Sequence, residues 1–146
     1  MVDSKVILLV DDNPDDVLPT IRALKKSKVS NEIIITSDGI EALDFLFAQG
    51  KYTDHDINKL PAVVLLDLKM PRMDGLEVLR RIRADERTKF LPVVILTCSK
   101  EEEDLINSYK LGANSFIHKP VDWNRFAKAI RTLGMYWVVM NEPIIR

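Results

Sequence analysis

Ala62-Val-Val-Leu-Leu-Asp67 decides the fold: five apolar residues without a polar interruption, ending on a carboxylate. A strand with one wet face alternates apolar and polar residues, whereas an unbroken Val/Leu run suits a strand buried on both faces of a parallel sheet. The same design recurs in both directions along the chain. Val6-Ile-Leu-Leu-Val10 ends in Asp11-Asp12, Val93-Val-Ile-Leu96 ends in Thr97, and Ser115-Phe-Ile-His118 ends in Lys119. Ligands of open α/β sheets bind outside the carboxyl ends of the strands, so these polar tips are expected to meet at one edge. Three carboxylates, a hydroxyl and an ammonium gathered there suit a divalent cation and a phosphoryl group.

Between the runs lie segments with helical spacing, and strand and helix alternate five times, which predicts an α/β fold with right-handed crossovers. The first helix is expected to start at Asn13 with Pro14 in its first turn and to bury Val17, Ile21 and Leu24. Pro19 falls beyond that turn, lacks a donor for the helical ladder, and is expected to kink the helix or delay its start. Asp38 with Glu41, Asp74 with Glu77 and Ser99 with Glu102 resemble capping boxes, each side chain satisfying a backbone donor of the other residue. Behind them Ala42, Phe45 and Leu46, then Leu76, Leu79 and Ile82, then Leu105, Ile106 and Tyr109 form core stripes, with Gly112 as a helix stop. The last helix, capped by Asp122, carries Phe126, Ile130, Leu133 and Trp137, an ordinary core face that needs no cofactor. A long polar connection, Gln49 to Pro61, separates the second helix from the third strand. Its His55, between Asp54 and Asp56, is read as part of a solvated loop rather than as a metal ligand.

A chain of 146 residues with 47% hydrophobic content suits a single domain, 1–146, able to bury a core of its own. With 21 Lys+Arg against 22 Asp+Glu the net charge is -1, which offers no global basic field for nucleic acid. The single cysteine, Cys98, has no partner for an internal disulfide and reads as a small apolar residue at a strand end, in keeping with a reducing compartment. No signal sequence precedes the first strand and no apolar stretch approaches membrane-spanning length. A cytoplasmic protein without a membrane partner is expected.

Magnesium prefers oxygen ligands and keeps several waters, so two or three converging carboxylates suffice for it. Asp11, Asp12 and Asp67 meet that need if the first and third strands are neighbours. Adjacent aspartates alone also cap helices or face water, as Asp15 and Asp16 are expected to do. A third carboxylate weakens that alternative, because crowded carboxylates repel one another unless a cation or a proton relieves them. A carboxylate beside a metal can also attack phosphorus, which makes Asp67 the candidate nucleophile. Lys119 would then neutralise phosphoryl oxygens and the Thr97 hydroxyl would donate a hydrogen bond to one of them.

Asp11-Asp12, the stretch Leu66-Asp-Leu-Lys-Met-Pro-Arg-Met-Asp-Gly75, Thr97 after an apolar strand, and Lys119-Pro120 together resemble the receiver domain of bacterial two-component response regulators. The resemblance covers nearly the whole chain. The long loop, Ser108-Tyr-Lys-Leu-Gly-Ala-Asn114 and the tail Tyr136-Trp-Val-Val-Met140 are most similar to small single-domain regulators partnered with bacterial phytochromes. The resemblance implies a doubly wound, flavodoxin-like parallel sheet of five strands in the order 2-1-3-4-5, flanked by five helices. It implies that Asp67 accepts a phosphoryl group from a phosphohistidine on a sensor histidine kinase of phytochrome type. It also implies magnesium held by Asp12, Asp67 and the main-chain carbonyl of Lys69, with Asp11 acting through water. Thr97 and Lys119 would hold the phosphoryl group, Phe116 would take the aromatic switch position where Tyr is commoner, and the Lys119-Pro120 peptide would be cis.

A phosphohydrolase of the haloacid dehalogenase type also uses an aspartyl nucleophile and magnesium, but needs a second Asp two positions on, where this chain has Lys69. A nucleotide or flavin module would need a Gly-rich loop after the first strand, and Asp11-Asp12-Asn13-Pro14 stands there instead. A degenerate receiver acting as a scaffold is disfavoured because the site residues are all present. The chain is therefore read as a signalling phosphoacceptor and not an enzyme. With 24 residues after Asp122, no attached output domain is expected and signalling passes to another protein or to self-association. An apolar C-terminal helix extension from about 134, including Met135, Val138, Val139 and Ile144, offers more apolar surface than one helix face can bury; a tail of this kind can fold back over its own domain, and a homodimer is the favoured reading.

Overall fold

The computed structural model describes residues 6–26, 31–68, 70, 72–97, 115–118 and 123–132. β1 (Ile7–Val10) and β3 (Val63–Asp67) are buried at every position, as their unbroken apolar sequences require. β2 (Ile33–Thr36), β4 (Val93–Thr97) and β5 (Ser115–His118) complete a five-stranded parallel sheet in the order β2-β1-β3-β4-β5. Leu9 stands opposite Leu65, and Leu65 opposite Val94, so the three central strands run in one register. β2 is an edge strand, and its Ile35 is exposed.

Four α-helices occur among the described residues: α1 (Pro14–Lys26), α2 (Gly39–Leu46), α3 (Gly75–Ala84) and α4 (Trp123–Thr132). Side chains alternate across each strand, so the sheet feeds two cores. Ile7, Leu9, Val63 and Leu65 pack with Leu24 of α1 and Phe126 of α4. Leu8, Val10, Val64 and Leu66 pack with Leu46 of α2 and Val78 of α3 on the opposite face. Each such side chain, removed from water, contributes ~1.5–3 kcal/mol before chain entropy is counted. The two layers hold the central strands from both sides and leave their carboxyl ends to carry the site. No helix among the described residues is long and apolar enough to cross a membrane.

Local structure departs from the expected pattern at three places. α1 begins at Pro14, so its start is not delayed, and it runs through the exposed Pro19. The Asp38 and Asp74 side chains cap α2 and α3 by accepting from the Glu41 and Glu77 amides at 2.8 and 3.0 Å, but neither glutamate returns the bond to its capping residue. Glu41 instead accepts from the Ser37 amide at 2.8 Å, and Glu77 is taken by Arg80 and Arg81. The long connection contains a 3-10 turn, Gly50–Tyr52, and is partly packed: the His55 ring stacks on Phe45 with centroids 4.3 Å apart. The helix expected from Ser99 to Gly112, the Asp122 cap, the Lys119-Pro120 peptide and the extension from 134 lie outside the described residues.

Candidate functional site

Parallel pairing brings the carboxyl ends of β1, β3, β4 and β5 to one edge. Val10 stands opposite Leu66, so the same register carries Asp11 and Asp67 to neighbouring strand ends. Ligand oxygens of Asp11, Asp12 and Asp67 lie within 4.8 Å of one another. Asp11 is 1% and Asp67 7% exposed, while Asp12 opens to solvent. Two buried carboxylates and a third at their mouth form an all-oxygen donor set with like charges held close. That set fits a hard divalent cation such as Mg²⁺ or Mn²⁺, with the open side left for water or substrate oxygens.

The turn after β1 is built to present these groups. Asp11 Oδ1 accepts from the Asn13 amide at 3.0 Å, and Asn13 Oδ1 accepts from the Asp15 amide at 2.9 Å. Asn13 thus opens α1 and steadies Asp11 at once. On the other side, the Gly75 amide donates to the Leu68 carbonyl at 2.8 Å, so the loop from Asp67 closes back on its own start. A Cβ on Gly75 would stand 2.3 Å from the Asp67 carbonyl oxygen, closer than any side chain can approach. Gly39 plays the same part from α2, where a Cβ would stand 2.6 Å from the Met73 carbonyl oxygen.

Of the other expected site residues, Thr97 closes β4 opposite His118 of β5. Phe116, opposite Ile95, is half-buried against the core beneath α2 and α3. Lys119 and Lys69 lie outside the described residues. Asp15 is exposed and Asp16 half-buried in the first turn of α1, where a negative charge is favourable.

Sequence reasoning passed over the polar links around the loop. Arg72 has a left-handed backbone, φ 65°, and its guanidinium donates to Asp38 Oδ2, with Nε at 3.0 Å. Behind Asp38, Glu41 collects the Ser37 amide, the Tyr52 hydroxyl at 3.1 Å and the Lys51 ammonium. Burial pushes the Glu41 carboxyl up, but hydrogen bonds from Lys51, Ser37 and Tyr52, with the Lys51 charge, outweigh it and hold the group below its ordinary value. The legible signal was a glycine directly after each capping aspartate, Asp38-Gly39 and Asp74-Gly75. A glycine in the first turn of a helix weakens it and calls for a packing reason.

The family model for the response regulator receiver domain matches residues 7–131. The chain belongs to the receiver family. Among solved structures the receiver is similar to the bacteriophytochrome response regulator AtBRR, at 49% identity and a TM-score of 0.86, covering 93% of this chain and 96% of that one. It is 38% identical to response regulator Rcp1 of Synechocystis sp. (strain ATCC 27184 / PCC 6803 / Kazusa) over 92% of this chain and 89% of that protein. A Mn²⁺-bound structure of Rcp1 superposes at a TM-score of 0.72 with 35% identity, covering 97% of this chain and 99% of that one. The phosphorylated cyanobacterial phytochrome response regulator RcpA superposes at 0.74 with 33% identity, covering 97% and 98% of the two chains.

Proposed function

We propose that this receiver takes a phosphoryl group from a phosphohistidine of a phytochrome-type sensor histidine kinase onto Asp67 and signals through protein contacts. The convergence of Asp11, Asp12 and Asp67 within 4.8 Å at the carboxyl edge of the sheet carries the reading. An Asp67 oxygen attacks phosphorus in line with the leaving imidazole; the P–N bond breaks, a P–O bond forms, and the product is an acyl phosphate. Asp12, Asp67 and the Lys69 carbonyl would hold a divalent cation, Mg²⁺, with Asp11 acting through water. When bound, the cation offsets carboxylate repulsion and the charge on the phosphoryl oxygens. Gly75 fixes the Asp67 main chain, so the nucleophile is in place before the donor arrives. Thr97 and Lys119 take phosphoryl oxygens and Phe116 responds to them as the switch residue. The exposed face of α1, with Leu18 56% exposed and Arg22 beside it, receives the kinase. The C-terminal extension from about 134 joins two copies in a homodimer.

Acetyl phosphate with Mg²⁺ tests the site without a kinase. Intact-protein mass spectrometry should show one added phosphoryl group in the wild type and none in Asp67→Asn. Asp12→Ala should weaken Mg²⁺ binding measured by calorimetry. Undiminished phosphorylation of Asp67→Asn would remove Asp67 from its role, and unchanged Mg²⁺ affinity in Asp12→Ala would remove that ligand.

A further inference from the structure

We propose that Arg72 is a positioning residue: its ion pair with Asp38 holds the loop from Asp67 to Gly75 against α2, and so sets divalent-cation affinity and the rate of phosphorylation at Asp67. The inference rests on the reading of Asp67 as the phosphoacceptor. Arg72 stands five positions beyond Asp67 in a left-handed conformation, φ 65°, that side-chain-bearing residues adopt only when neighbours impose it. In that conformation its side chain meets a fixed carboxylate. Asp38 is 8% exposed, and its Oδ1 is already held by the Glu41 amide at 2.8 Å, so Oδ2 stays aimed at the loop. The Arg72 guanidinium meets Oδ2 through both Nε and Nη2, joining two βα loops that are 34 residues apart in sequence. Beside this contact the bare Cα of Gly39 admits the Met73 carbonyl. The loop is therefore pinned at its apex by Arg72 and Met73 and at its exit by Gly75.

An arginine whose side chain is 58% exposed adds little to global stability through one ion pair. Its effect falls on which conformation the loop keeps, and the loop begins at the nucleophile. A local effect on the site with little effect on folding distinguishes positioning from scaffolding.

The experiment compares wild type, Arg72→Ala, Arg72→Lys, Asp38→Asn and the double variant Arg72→Ala/Asp38→Asn. Mg²⁺ affinity is measured by calorimetry, phosphorylation by acetyl phosphate through intact mass, and folding by thermal melting. Asp38→Asn keeps an oxygen for the Glu41 amide and so preserves the helix cap. Arg72→Ala and Asp38→Asn should each raise the Mg²⁺ dissociation constant roughly three- to tenfold, the size expected of one partly buried charge-assisted contact. The double variant should be no worse than the worse single, Arg72→Lys should recover part of the affinity, and melting temperatures should stay close together. Wild-type affinity in both single variants, or losses that simply add in the double, would overturn the latch while leaving Asp67 as phosphoacceptor. A wild type that neither binds Mg²⁺ nor takes up phosphate would overturn the reading of Asp67 and the latch with it.

Discussion

Gly75 shows how one missing atom decides the geometry of the site. Its bare Cα lets α3 begin against the Asp67 carbonyl, where a Cβ would be 2.3 Å away. Gly75→Ala should lower stability by about 1–3 kcal/mol through forced displacement of packed backbone. It should also slow phosphorylation by acetyl phosphate, checked by urea denaturation and intact mass; full activity with full stability would mean that the contact yields freely. Glu41 makes the second residue-scale case. Because its folded-state pKa is lowered, its contribution to stability is present above the unfolded-state pKa and is lost as pH falls through the folded value. Glu41→Gln should therefore lower the urea midpoint by more at pH 7 than at pH 3. An equal loss at both pH values would assign the effect to packing alone.

At the scale of elements, α1 presents opposite faces to two audiences. Val17, Ile21 and Leu24 pack on the sheet, while Leu18, Pro19 and Arg22 remain exposed beside the acidic edge. Changing Leu18 and Arg22 together to alanine should slow phosphotransfer from the cognate kinase at least several-fold and spare acetyl phosphate. Equal slowing with both donors would show that this face serves the site rather than the partner. The element boundaries were largely legible because capping aspartates and apolar stripes act over three or four residues. The fate of Glu41 was not: its neighbours Lys51 and Tyr52 come from a turn ten and eleven residues further on, and their contact depends on how that turn packs.

For the whole molecule, the proposed output is self-association through the apolar extension from about 134. Light scattering at micromolar concentration should show a dimer, and removal of residues 135–146 should give a folded monomer. A full-length protein that stays monomeric with and without phosphorylation would exclude dimerisation as the signal.

The amino-acid sequence by itself determined the parallel sheet and the gathering of acidic tips, because double-sided burial demands continuous apolar runs and parallel strands bring their carboxyl ends to one edge. With the resemblance it also carried the strand order, which β2-β1-β3-β4-β5 matches. It could not reveal the pairing of Arg72 with Asp38 or the close approach of Gly75 to Asp67. Each depends on where two loops pass one another after the helices have docked, and a shift of an ångström there would leave every local pattern in the chain unchanged.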